Sequence, residues 1–258
     1  MLASTTAALG HEFWISPHGY QVADDESLVA DIRVGQNFGG SKFAFIPNNF
    51  VRFELVNGDT IVPVTGRIGD RPALNMAAPS PGLWIVVHET TDSALTYREW
   101  EKFVSFVEHK DLGNTLKLHK ERGLPETSFI ESYRRFAKSL IAVGDGQGAD
   151  REIGLLTEIV AEANPYTLDN PSEIPVRVML DSRPRQDVLV EVFEKDKDGE
   201  VFVFTVRTDN EGRAIIPVKA GHEYLVDSVT MVAIEATDSA LEPVWKSLWA
   251  SLTFAIPE

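Results

Sequence analysis

Cysteine is absent from this sequence, which removes a disulfide framework, a thiolate zinc site and a cysteine nucleophile at once. A large core makes disulfides unnecessary even for an exported protein, so the absence is neutral on compartment. Basic residues are scarce: 24 Lys and Arg stand against 39 Asp and Glu, for a formal net charge of -15. Charge of that sign argues against a nucleic-acid partner, whose phosphates need clustered Lys and Arg, and it would be repelled by an anionic membrane surface. No apolar run reaches the length of a bilayer crossing, so the chain is not expected to be membrane-spanning. Signature motifs are missing too. There is no Gly-x-Ser-x-Gly elbow and no HExxH pair, and Gly144-Asp145-Gly146-Gln147-Gly148 lacks the Gly-Lys-Ser/Thr ending of a phosphate-binding loop.

What is present reads as β structure. Leu28, Ala30, Ile32 and Val34 alternate with more polar neighbours, and Val51, Phe53 and Leu55 do the same before the Asn57-Gly58 turn signal. Leu83 to His88 is an apolar strand on which His88 shares a face with Trp84 and Val86. A histidine buried there needs hydrogen-bond partners. The period then changes. Thr96 with Glu99 has the form of a capping box, and Trp100, Phe103, Val104 and Val107 recur at helical spacing. Leu112 to Arg122 predicts a second helix, and Ser128 with Glu131 a third cap ahead of Tyr133, Phe136 and Ala137, with a return to strand over Lys138 to Val143.

Asn164-Pro165-Tyr166, with Pro171 and Pro175 after it, is the best domain boundary. Beyond it, short alternating strands follow at sandwich-like spacing. Two Asp-initiated turns, Asp196 to Gly199 and Asp209 to Gly212, predict hairpins rather than calcium loops, since Thr205 stands where an EF-hand's last carboxylate belongs. The fold class expected is therefore mainly β, with two β-sandwich domains of Ig-like or transthyretin-like type. The first spans residues 11–164 and carries a helical insert near 96–137; the second spans 165–258.

The N-terminal run Met1 to Gly10 is small, apolar and uncharged, and Ala8-Leu9-Gly10 has the form of a signal-peptidase site. It lacks a basic n-region and is short for a leader, so it reads as a signal-peptide remnant. Cleavage there makes His11 the first residue of a mature, periplasmic chain. A terminal histidine offers its α-amine and its imidazole to one metal ion. Six histidines are available in all, and a nitrogen-rich site suits nickel, cobalt, copper or zinc. His11, His88 and His119 are the candidate metal ligands, with Glu12 and Glu89 placed to orient imidazoles.

Several stretches together resemble one family. His11-Glu12-Phe13-Trp14, Arg52-Phe53-Glu54, Asn164-Pro165-Tyr166, Arg207-Thr208-Asp209 with Gly212, and Trp249-Ala250-Ser251-Leu252-Thr253-Phe254 are similar to the DUF4198 family of bacterial periplasmic proteins. That family is often labelled a nickel- or cobalt-uptake accessory component. The resemblance implies export, two sandwich-like units, and a metal role in uptake or hand-over, with a membrane transporter component as partner. Two other readings stand beside it. One is a metal-free envelope module that binds protein or glycan; the other is a copper monooxygenase built on a histidine brace of His11 and His88.

Overall fold

The computed structural model describes residues 11–236, 238 and 241–258; the expected signal-peptide remnant, residues 1–10, lies outside the described residues. The chain is mainly β. It begins with β1 (Glu12–Pro17), β2 (Gln21–Val22), β3 (Ser27–Gln36), β4 (Gly39–Phe43), β5 (Phe50–Asn57) and β6 (Thr60–Pro63). Next come β7 (Leu74–Ala77), β8 (Gly82–Thr90) and β9 (Ser93–Tyr97). Helices α1 (Trp100–His109) and α2 (Thr115–Glu121) follow, before β10 (Phe129–Val143) and β11 (Thr157–Ala161). The last strands are β12 (Glu173–Leu180), β13 (Arg183–Pro184), β14 (Leu189–Lys195), β15 (Val201–Arg207), β16 (Arg213–Pro217), β17 (Glu223–Ala233) and β18 (Pro243–Ala255). No helix among the described residues is long and apolar enough to cross a membrane.

A ten-stranded sheet forms the centre, in the order β15-β14-β17-β18-β10-β8-β5-β6, with β2 and β9 also pairing with β10. Side chains on a strand alternate between faces, and the two faces of β8 meet different partners. Leu83, Ile85 and Val87 pack in one core with Ile159, Val176, Val178 and Ile216 of the small sheet formed by β11, β12, β13 and β16. Trp84 and Val86 pack in another with Ile15, Leu28, Ile32 and Leu74 of the sheet formed by β1, β3, β4 and β7. Two small sheets thus pack on opposite faces of one shared sheet. The join is the parallel pairing of β10 with β18, from Ile130 opposite Pro243 to Ser139 opposite Thr253. Residues on both sides of Asn164 contribute to this central sheet.

The helical segment sits on the same face as β1, over Trp245 and Trp249 of β18, where Phe103, Phe106 and Val107 of α1 are buried. It is shorter than expected, because Phe129–Val143 is one continuous strand where the spacing predicted a third helix. The signal misled for a tertiary reason. A strand with neighbours on both faces is buried on both, so β10 shows no alternation, and its polar residues are neutralised by specific partners. The Asp209 turn also differs from expectation. It carries the chain from β15 in the central sheet to β16 in the small one, with Asp209 Oδ1 accepting the amides of Glu211 (2.8 Å) and Arg213 (2.9 Å). Gly212 takes φ +74 there, and a Cβ would stand 2.8 Å from that of Pro184.

Glu131 illustrates the neutralisation. Its carboxylate, 1% exposed, accepts the Tyr97 hydroxyl at 2.9 Å and the Ser247 hydroxyl, whose oxygen accepts the Trp249 indole N–H. Burial pushes its pKa up to about 7, against the lowering effect of those two hydroxyls. The folded state therefore holds this proton more tightly than the unfolded chain does. Stability falls as pH rises from the ordinary 4.5 through about 7, and the ionised group costs roughly 3 kcal/mol beyond it. Glu131→Gln keeps the shape and removes the charge. Its unfolding midpoint in urea should rise relative to wild type at about pH 8, with little difference at about pH 5; an equal change at both pH values would contradict this account.

A histidine-lined cavity at a split in the central sheet

On one edge β10 changes partner. Leu140–Val143 pair with β8, whereas Phe129–Tyr133 pair with β9, and the stretch 134–139 forms no ladder pair on that edge. The end of β8 therefore diverges from β10, and a cavity of about 360 Å³ opens on the face that carries β1. His11, Phe13, Phe50, His88, Tyr133 and Arg135 line it, with Thr90 and Ser93 at its polar side. Two of the three predicted ligands, His11 and His88, are brought together here.

His88 is 1% exposed and surrounded by the rings of Phe50, Phe53 and Phe13, at centroid distances of 4.6, 5.0 and 5.2 Å. Its strand position predicted burial with hydrogen bonds. The burial is there, but neither Nδ1 nor Nε2 has a hydrogen-bond partner. Desolvation lowers its pKa to about 3, so the imidazole is neutral and one ring nitrogen carries a free lone pair. An unpaired buried polar group of this kind costs on the order of 1–3 kcal/mol, so it marks either strain or an unfilled task. His11, by contrast, is exposed; its carbonyl oxygen accepts an N–H from Arg135 at 3.3 Å.

His119 lies elsewhere, fully buried under the helical segment among Trp100, Phe103, Phe129 and Trp245. Its Nδ1 accepts the Trp245 indole N–H at 2.9 Å, which leaves Nε2 to donate to the Pro125 carbonyl at 3.0 Å. Both nitrogens are committed, and burial lowers its pKa. The other histidines contact carboxylates: His18 with Asp31, His109 with Glu191, and His222 with Glu194. Glu12 and Glu89, expected to orient imidazoles, instead bind Lys110 and Arg134. Among the described residues no group of three or more His, Asp or Glu side chains is arranged to hold a metal ion. The nitrogen donors the cavity's histidines offer are the imidazoles of His11 and His88, together with any free α-amine at His11.

Beside the cavity lies a cluster that nothing in the sequence pattern singled out. Lys110, the residue that ends α1, is 3% exposed. Its ammonium reaches Glu191 at 2.6 Å, Asp227 at 2.9 Å and Glu12 at 3.3 Å, and lies 5.2 Å from the Trp249 ring centre. Burial alone would lower the Lys110 pKa, but the three carboxylates outweigh it and raise it. Desolvation pushes Glu12 up to about 7, although Lys110 opposes the shift, and Asp227 is raised for the same reason. The cluster ties β1, β14 and β17 to the end of α1, and so fixes the strand that presents His11.

A family model described as a domain of unknown function (DUF4198) matches residues 8–232. Among solved structures, one described as the D0-D1 domain of intimin is similar at 14% sequence identity and a TM-score of 0.25, covering 95% of this chain and 97% of that one. No curated protein matches the sequence.

Proposed function

The chain belongs to the DUF4198 family, a domain of unknown function, and we propose that its task is to bind one divalent transition metal ion through His11 and His88. A terminal histidine supplies two nitrogens from one residue, and His88 supplies a third. Imidazole nitrogen suits nickel, cobalt, copper and zinc alike. The observation that carries this reading is the buried imidazole of His88, with neither nitrogen partnered, on the wall of a cavity that His11 also lines. A metal ion would satisfy that lone pair, and the three phenylalanines would hold the ring still while it did so. His119 is left out of the ligand set, because binding there would break its bonds to Trp245 and Pro125.

In the same reading the chain is exported to the periplasm, cleaved ahead of His11, and passes its ion to a membrane transporter component for uptake. Calorimetry with Ni²⁺, Co²⁺, Cu²⁺ and Zn²⁺ on two forms of the protein tests the terminal chelate. The form beginning at His11 should bind at least one of these ions about 100-fold more tightly than a form that keeps residues 1–10, since the latter has lost the amine. Equal affinity in the two forms would remove the terminal chelate from the proposal. No binding to either form at micromolar concentration would remove the metal altogether.

A further inference from the structure

The cavity is larger than a metal ion requires. Its volume of about 360 Å³ compares with roughly 30 Å³ for one water, and it falls at the lower end of the ~300–1,000 Å³ of small-molecule sites. Three nitrogens also leave coordination positions open, since these metals take at least four ligands.

Arg135 is the second observation. In a chain with 39 acidic residues, this arginine forms no ion pair among the described residues, and the carboxylates of Asp227, Glu12 and Glu131 act on it only at longer range. Its guanidinium lies over the rings of Tyr133 and Phe13, at 4.7 and 5.7 Å from their centres. One terminal nitrogen donates to the His11 carbonyl, while Nε is buried without a partner. A planar guanidinium held against aromatic rings, with donors unspent, is preorganised for a carboxylate. An anion lying between a bound dication and this guanidinium would attract both.

We infer that the cavity takes its metal together with a small anionic oxygen-donor chelator, a carboxylate group of which is held by Arg135 while His11 and His88 hold the ion. This rests on the metal reading above. The polar wall of Thr90 and Ser93 suits the chelator's remaining oxygens, and the phenylalanines exclude water from its other side.

Citrate serves as the probe. The protein beginning at His11 is loaded with Ni²⁺, and citrate is titrated into it by calorimetry, with nickel retention read after gel filtration. Citrate should join the loaded protein without removing the nickel. Arg135→Met, loaded with Ni²⁺ to the same occupancy as wild type, should bind citrate at least about tenfold more weakly. Arg135→Lys, which keeps the charge but not the fork, should fall between the two. If citrate strips the nickel, or joins wild type and Arg135→Met equally well, the inference is wrong and the metal reading survives. If wild type binds no Ni²⁺, both are wrong. The wild-type titration decides the first point even if a variant fails to fold.

Discussion

Lys110→Met should destabilise the protein by about 3–5 kcal/mol at neutral pH, the usual cost of removing one partner from a buried ionic group. Met keeps the stem that packs on Trp249 but removes the charge shared by Glu191, Asp227 and Glu12. Three carboxylates, each at most 5% exposed, then face one another with Arg135 and Arg185 compensating at longer range and His109 in contact with Glu191. The sign of the pH dependence follows. Without the ammonium, these acids bind protons more tightly in the folded state than in the unfolded chain. The defect should shrink as pH falls from about 8 towards about 5, because protonation removes the repulsion. Urea unfolding of wild type and variant at both pH values measures it. Adding Glu12→Gln to Lys110→Met should restore part of the loss, a coupling expected of residues in direct contact. A loss below about 1 kcal/mol at neutral pH would mean that the cluster is looser than its distances imply.

The second large effect is expected at His88, where stability and binding should move in opposite directions. His88→Leu places an apolar side chain of similar size among Phe13, Phe50 and Phe53 and removes two unpartnered nitrogens. The fold should gain roughly 1–2 kcal/mol, since the buried imidazole is unsatisfied as it stands. Affinity for the metal ion should fall by at least about 100-fold, to what the terminal chelate gives alone. Thermal unfolding with and without Ni²⁺ reports both at once: a higher midpoint without metal, and a smaller further rise than in wild type when metal is added. If the variant is less stable than wild type, His88 has a structural role that its surroundings do not reveal. If metal binding is unchanged, the cavity is not the site.

Much of the architecture was legible from local pattern. Alternation and turn chemistry identify β3, β5, β12 and β16, because those strands bury one face more deeply than the other, whereas β14, β17 and β18 are buried along most of their length. The Asn57-Gly58 signal marks a real hairpin, with Asn57 opposite Thr60, for the same local reason. The helical periodicity of Trp100, Phe103 and Val107 likewise marks α1, whose apolar stripe faces the sheet. The pairing of His11 and His88 as candidates came from residue chemistry, and the cavity contains both.

Long-range packing decided the rest. Only the end of β10, Lys138 to Val143, reads as a strand in the sequence, because the residues that make its polar positions tolerable lie elsewhere in the chain: Tyr97 and Ser247 for Glu131, Asp150 and Glu158 for Lys138. The choice between His88 and His119 could not be read locally either. Both are buried histidines, and it takes Trp245, 126 residues from His119, together with the Pro125 carbonyl to separate a satisfied imidazole from a free one. Arg135 and Lys110 carried no signal at all, since a lone basic residue has no period or motif. Their roles come from where β10 changes partner and where α1 ends. Periodicity reports which face of an element is buried; what each buried polar group meets is settled only when sheets from distant parts of the chain close over it.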